Sequence, residues 1–492
     1  MRSGFGLTIL VSVLVCGGLV YLLMPGADDP IAGDESIVMY CAAGISKPVQ
    51  QILDEYERQY GVTIQVQFAG SGQLLSSIKT GGGDVYLAAA KTYLVDARKQ
   101  KLVREIIPLA RQHPILAVQT GNPKQIRTID DLLQGDIRSV QADADRTAIG
   151  RVSKKLLTPD VWEELVQQAT VQRATVNEVA NDIKTGVADA GIIWNATADQ
   201  YPDLEIVEVP ALAQSPNQIT MGILSSSRQP KRALHFARFM SARDRGLLQF
   251  TKFGYQVVDG DKWAEQPEIT FFAGGLNRLA VESAVERFSK REGANVITKY
   301  NGCGVLVGEM KVGSHPDLYF SCDTSFMEKV QHLFHASQDV SSTRMVIAVQ
   351  KGNPRQIQTL QDLTQADLQL GLCDPDKSAL GSLSALLLDQ LQILKAVRAN
   401  QVYSSATAAE LVSALVIGKI DAAIVYEANV VKQAHALDSI AIEDDRALAI
   451  QPIAIGRESD QPQLSARLME AILSVENKAA FDEYGFNRLA DQ

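Results

Sequence analysis

Beyond residue 36 the chain alternates between two hydrophobic rhythms. Ile37 to Tyr40 is a short apolar run that predicts a buried strand. Apolar side chains then fall at Val49, Ile52, Leu53 and Tyr56, one face of a helix over 47–60, and Gly61 stops it. Val62 to Phe68 alternates apolar with polar, the period of a strand. Gly70-Ser71-Gly72 opens a helix through Ile78, and Asp84 to Ala88 predicts another buried strand. The same order returns from Ile269 to Ser321. Strands alternating with helices predict α/β units of mostly parallel sheet, with helices on both faces. Such sheets bind ligands beyond the carboxyl ends of their strands.

Ahead of this pattern, Phe5 to Met24 carries no charge, with Arg2 before it and Asp28 and Asp29 after it. About 20 apolar residues cross a bilayer as a helix, and a preceding cation favours a cytoplasmic N-terminus. Residues 1–30 are therefore expected to be an N-terminal transmembrane helix, an uncleaved anchor. A cleaved signal peptide is the alternative, and so is a lipoprotein signal at Cys16, although Val15 stands there in place of a small residue. All three send the rest of the chain to the extracytoplasmic side of the inner membrane.

The pattern is duplicated. Gly121-Asn122-Pro123-Lys124-Gln125-Ile126 recurs as Gly352-Asn353-Pro354-Arg355-Gln356-Ile357. Phe68-Ala69-Gly70-Ser71-Gly72 recurs as Tyr300-Asn301-Gly302-Cys303-Gly304, and Ile192-Ile193-Trp194 as Ile424-Val425-Tyr426. Phe253-Gly254-Tyr255 returns as Tyr484-Gly485-Phe486. A fixed offset held over separate segments marks two homologous units, here 37–262 and 268–490, joined by a linker around Asp261 to Pro267. At about 225 residues each, the units exceed one ordinary sheet, so two lobes with a cleft between them are expected in each. A chain of 492 residues that is 46% hydrophobic is neither disordered nor short of core. Net charge of −10 without a long basic run argues against nucleic acid as a partner.

The residues expected at the strand ends are small and neutral: Ala42-Ala43-Gly44, Gly70-Ser71-Gly72 and Ala148-Ile149-Gly150. Loops of this kind expose backbone N–H groups at helix N-termini, where partial positive charge suits an anion without a lysine. Ser71 alone is as readily a helix cap; several such loops together favour anion binding.

In the order and spacing of these segments, both units resemble the molybdate-type periplasmic solute-binding proteins of ABC importers. The resemblance implies a type II periplasmic-binding fold, two hinge-closing lobes joined by crossover strands, and a tetrahedral oxyanion held by neutral donors. It places ligand-binding positions at Gly44, Ser71, Ile149, Val176 and Trp194 in the first unit. In the second they fall at Gly275, Cys303, Leu380, Ala408 and Tyr426. Gly44, Gly275 and Cys303 replace hydroxyl donors of that family, and Trp194 replaces its tyrosine. The implied partners are a small oxyanion and an ABC permease, with no cofactor. An envelope sensor or interaction protein with degenerate sites is the alternative.

Cys41 is expected to be a small buried hydrophobe on the first strand. Cys303, Cys322 and Cys373 all fall in the second unit, at loops expected to face its cleft. Outside the cytoplasm a disulfide is the favoured reading, with Cys303–Cys322 paired inside one lobe. Buried free thiols and a soft-metal or soft-oxyanion site are the alternatives. No cysteine spacing matches a zinc motif, and no metal site is expected. Ser76-Ser77-Ile78-Lys79 and Lys79-Thr80-Gly81 match two fragments of penicillin-binding enzymes, but they share one lysine. An ordinary helix stopped by Gly81-Gly82-Gly83 accounts for them, and no enzyme is expected.

Overall fold

The structure, a computed structural model, describes residues 36–213 and 216–489. The expected anchor in residues 1–30 lies outside the described residues. Among the described residues no helix is long and apolar enough to cross a membrane.

Local structure follows the hydrophobic rhythm closely. The first strand is Ile37–Ala42 and the first long helix Ser46–Tyr60, which buries Val49, Ile52, Leu53 and Tyr56 and ends at Gly61 in the left-handed region (φ 66°). Strand Ile64–Ala69, helix Ser71–Gly81 and strand Val85–Ala88 follow. The second copy supplies strand Glu268–Gly274, helix Arg278–Glu292, strand Asn295–Asn301, helix Cys303–Lys311 and strand Leu318–Phe320.

The chain divides into two compact units. One comprises the stretches up to Ile106 and His113–Ala237, the other Ile107–Gln112 and Arg238 onward. This division falls earlier than the linker given by the sequence repeat. In the first unit, strands Asn217–Leu224, Val85–Ala88, Ile37–Ala42 and Ile64–Ala69 lie side by side in that order. A separate five-stranded sheet has the order Val171–Arg173, Ser139–Ala142, Ala190–Trp194, Pro114–Gln119, Leu204–Val207. Two sheets in one unit match the expected pair of lobes.

In the second unit the corresponding layers are continuous through one strand. Gln338–Gln350 pairs antiparallel with Leu448–Ile455 over residues 338–344, then with Ala422–Tyr426 over residues 345–349. It is a crossover strand belonging to both lobes. The sheets are mixed rather than mostly parallel. Ile37–Ala42 is parallel to both neighbours, but the strands that return from the opposite lobe, Asn217–Leu224 and Leu448–Ile455, run antiparallel to theirs. A chain that crosses to a second lobe and comes back must enter the first sheet from the other end.

The second unit also buries an ion cluster. Glu292, the last residue of its helix, accepts from Arg467 Nε at 2.7 Å and lies 3.4 Å from Arg238 Nη1, all three side chains being almost fully enclosed. Removing one member of such a cluster strands the others' charge. Glu292→Ala is expected to cost about 3–5 kcal/mol, read as a lower urea midpoint at unchanged slope.

Candidate functional site

Three helices of the first unit begin at one point. Ser71–Gly81 starts after Gly70, Ala148–Leu156 after Thr147, and Val176–Lys184 after Thr175. The two threonines are caps: Thr147 Oγ1 accepts from Gly150 N–H and Thr175 Oγ1 from Glu178 N–H. Capping leaves the first amides of each helix aimed outward, where they and the helix dipole favour an anion. The helix starts enclose a cavity of about 20 Å³ whose wall includes Gly44, Ser71, Ile149, Val176 and Trp194. All five positions marked in the first repeat thus share one wall. No charged residue lines it.

Ser71 does not cap its helix. Its Oγ accepts from Ala89 N–H at 3.2 Å, which orients the hydroxyl and leaves its proton to donate. Trp194 ends the strand Ala190–Trp194 and is buried. Near Gly44, the buried Thr197 Oγ1 and Asn177 Oδ1 have no hydrogen-bond partner.

The second unit repeats the arrangement with Cys303–Lys311, Ala379–Gln390 and Ala408–Val416. Its cavity is about 190 Å³, and Gly275, Cys303, Leu380, Ala408 and Tyr426 all line it. Strand pairing sets Ala42 against Ala69 and Gly274 against Asn301. Gly275 therefore matches Ala43 in position, and Leu276 rather than Gly275 matches Gly44. Arg278 also lines this cavity, bonded to Glu282 at 2.8 Å and placed over the Tyr300 ring. The Tyr426 hydroxyl and Asn429 Oδ1 are buried without a partner. Burial in this apolar wall pushes the Tyr426 phenol well above its ordinary pKa.

Cross-lobe contacts explain the difference in volume. In the first unit Arg151 pairs with Asp96 at 2.6 Å, Tyr93 Oη donates to Thr147 O at 3.1 Å, and Lys47 Nζ donates to Gln200 O at 3.0 Å. The position matching Arg151 is Ser382 and that matching Tyr93 is Phe326, which has no hydroxyl, so the second cleft lacks both ties.

Both clefts meet backbone to backbone at the glycines flanking the second loop. Gly72 N–H donates to Arg146 O at 2.9 Å and Gly304 N–H to Lys377 O at 3.0 Å. A Cβ on Gly72 would lie 2.0 Å from Asp145 O, and one on Gly304 1.9 Å from Asp376 O.

Cys41, Cys303, Cys322 and Cys373 are free and buried. Cys303 and Cys322 both line the second cavity. Cys373 is not among the lining residues: it ends the strand Leu370–Cys373, its Sγ 3.7 Å from Ser405 Oγ. Burial pushes its thiol up to about 11. Thr147, Thr175, Arg278 and Asn429 were not singled out in the sequence. A Thr directly before an apolar helical run was the usable signal for the first two.

The family model for bacterial extracellular solute-binding proteins matches the chain twice, over residues 37–256 and 269–487. The chain belongs to the bacterial extracellular solute-binding protein family. It carries two copies of the family's domain in tandem. A binding protein of Haemophilus influenzae is 26% identical over 222 residues, covering 44% of this chain and 90% of the relative. The molybdate-binding protein ModA of Mycobacterium bovis is 27% identical over 251 residues, covering 47% of this chain and 91% of that protein. Among solved structures, the periplasmic molybdate-binding protein of Azotobacter vinelandii aligns over 44% of this chain and 98% of its own, at 14% identity and a TM-score of 0.39.

The glycine contacts generate a test within this solute-binding fold. Gly72→Ala is expected to hold the first cleft open and Gly304→Ala the second, seen by X-ray scattering as an increased radius of gyration and faster exchange of the loop amides.

Proposed function

We propose that this protein captures a small tetrahedral oxyanion of the molybdate or tungstate type outside the cytoplasm and presents it to an ABC permease. Residues 37–262 and 268–490 are the two binding units, tethered to the inner membrane through the hydrophobic segment within residues 1–30. The observation that carries the reading is the first cavity: small, neutral, and walled by the starts of three helices, two of them capped by threonines.

Neutral donors suit a dianion that must later be released. Amides fixed by helices keep their dipoles oriented without the tight ion pairing that a lysine would add. In this reading Ser71 donates its hydroxyl proton, the amides at Ile149 and Val176 donate from their helix starts, and Trp194 closes the floor. One water needs about 10–15 Å³, so the first cavity as it stands is little larger than a water, and an oxyanion would enter with the lobes further apart. Ligand-driven closure would shift an open–closed equilibrium and form the face that a permease recognises. Molybdate binding by a relative that spans 47% of this chain supports the ligand class.

The second cavity favours a separate role for the second repeat. Its larger volume, its thiols and Arg278 set a different donor list around the same helix starts.

Isothermal titration of the full chain with molybdate, tungstate and sulfate tests the proposal. Heat of binding with at least one of them is expected, accompanied by a rise in melting temperature. Ser71→Ala removes one hydrogen bond to a charged ligand and is expected to weaken binding about tenfold or more. Absence of heat and of thermal shift with all three would overturn the proposal.

A further inference from the structure

The second cavity holds chemistry that oxyanion capture by amides does not use. Cys303 and Cys322 lie side by side in its wall: Cys322 N–H donates to Cys303 Sγ at 3.2 Å, and Ser321 Oγ donates to the same sulfur at 3.9 Å. Space for them is made by Gly274, where a Cβ would sit 2.1 Å from Cys322 Sγ and 2.8 Å from Cys303 Sγ. The first repeat has Ala42, Ser71 and Ala89 at the three corresponding positions. Both sulfurs and the hollow that admits them therefore occur in one repeat only.

We propose that the second unit is a dithiol site for a trivalent metalloid oxyacid such as arsenous acid, As(OH)3. Cys303 and Cys322 each give up the S–H proton and form an S–As bond, while two As–OH groups leave as water. The product is a neutral dithiolate that keeps one As–OH, and no electrons are transferred. Tyr426, whose buried hydroxyl in the same cavity has no partner, is placed to hydrogen-bond the hydroxyl that remains.

The surroundings favour a neutral product over a metal bis-thiolate. The Cys322 side chain is the first cause that lowers the Cys303 pKa, helped by the Cys322 amide and opposed by burial; the same contact and burial raise Cys322. The pair thus supplies one activated sulfur and one retained thiol, which suits stepwise condensation with loss of water. Two thiolates around a monovalent soft cation would leave a net negative charge in a buried wall, at a desolvation cost. Among the described residues no three His, Cys, Asp or Glu side chains converge as a metal cage.

The test uses the full chain, reduced with a phosphine, incubated with sodium arsenite, desalted, and assayed for arsenic per chain by elemental mass spectrometry. About one arsenic per chain is expected for the wild type and for Cys373→Ser and Ser71→Ala. Cys303→Ser and Cys322→Ala each install the residue of the first repeat, which keeps the fold testable, and each is expected to reduce retention more than tenfold. Arsenite is also expected to protect two thiols from alkylation. The proposal is overturned if the reduced wild type retains no arsenic, if retention survives both cleft variants, or if Cys303 and Cys322 form a disulfide that the phosphine does not open. Molybdate titration is a separate measurement, so this site and the amide site can fail independently.

Discussion

Close approach of backbone to backbone is the constraint on which each cleft depends. At Gly72 and Gly304 the incoming loop passes so near a carbonyl of the facing lobe that even one methyl group would collide with it. Side chains at those positions would hold the lobes apart by several ångströms, and the amide donors at the helix starts would no longer share one cavity. The absence of side chains here does more than any charged residue to define the sites. It also explains why the loops are so plain in composition: small residues permit contact, and contact brings the dipoles of three helices together.

The duplication kept this frame and altered what fills it. Ties cross the first cleft, from Arg151 to Asp96 and from Lys47 to the Gln200 carbonyl, and its cavity is small, about 20 Å³. Ser382 in place of Arg151 and Phe326 in place of Tyr93 leave the second cleft without the corresponding ties, and its cavity is several times larger. Similar helix starts therefore face two different interiors, one small and neutral, the other roomier and sulfur-bearing.

Much of this was legible in the chain. The apolar spacing of Val49, Ile52, Leu53 and Tyr56 located the first helix to within one residue, because a helix that packs on a sheet needs that stripe. The ten positions assigned by resemblance all fall on the two cavity walls, because loops at strand ends are anchored by the strands and caps around them. Register was harder. Gly44 and Gly275 match as letters, yet strand pairing shifts them by one place, since a run of small residues carries no side-chain period to align. The returning antiparallel strands were missed because local pattern does not report the direction from which a distant segment enters a sheet.

The strand Gln338–Gln350 carries one more consequence. Because its ladder passes without interruption from one sheet of the second unit to the other, that unit can bend only by twisting a continuous hydrogen-bonded ribbon near Arg344 and Met345. In the first repeat the corresponding strands stop at Gln112 and restart at Pro114, and His113 between them exchanges hydrogen bonds with Asn195. Opening of the second unit would therefore strain the strand Gln338–Gln350, so the stiffness of a connecting ladder would weigh on the cleft along with the residues of its walls.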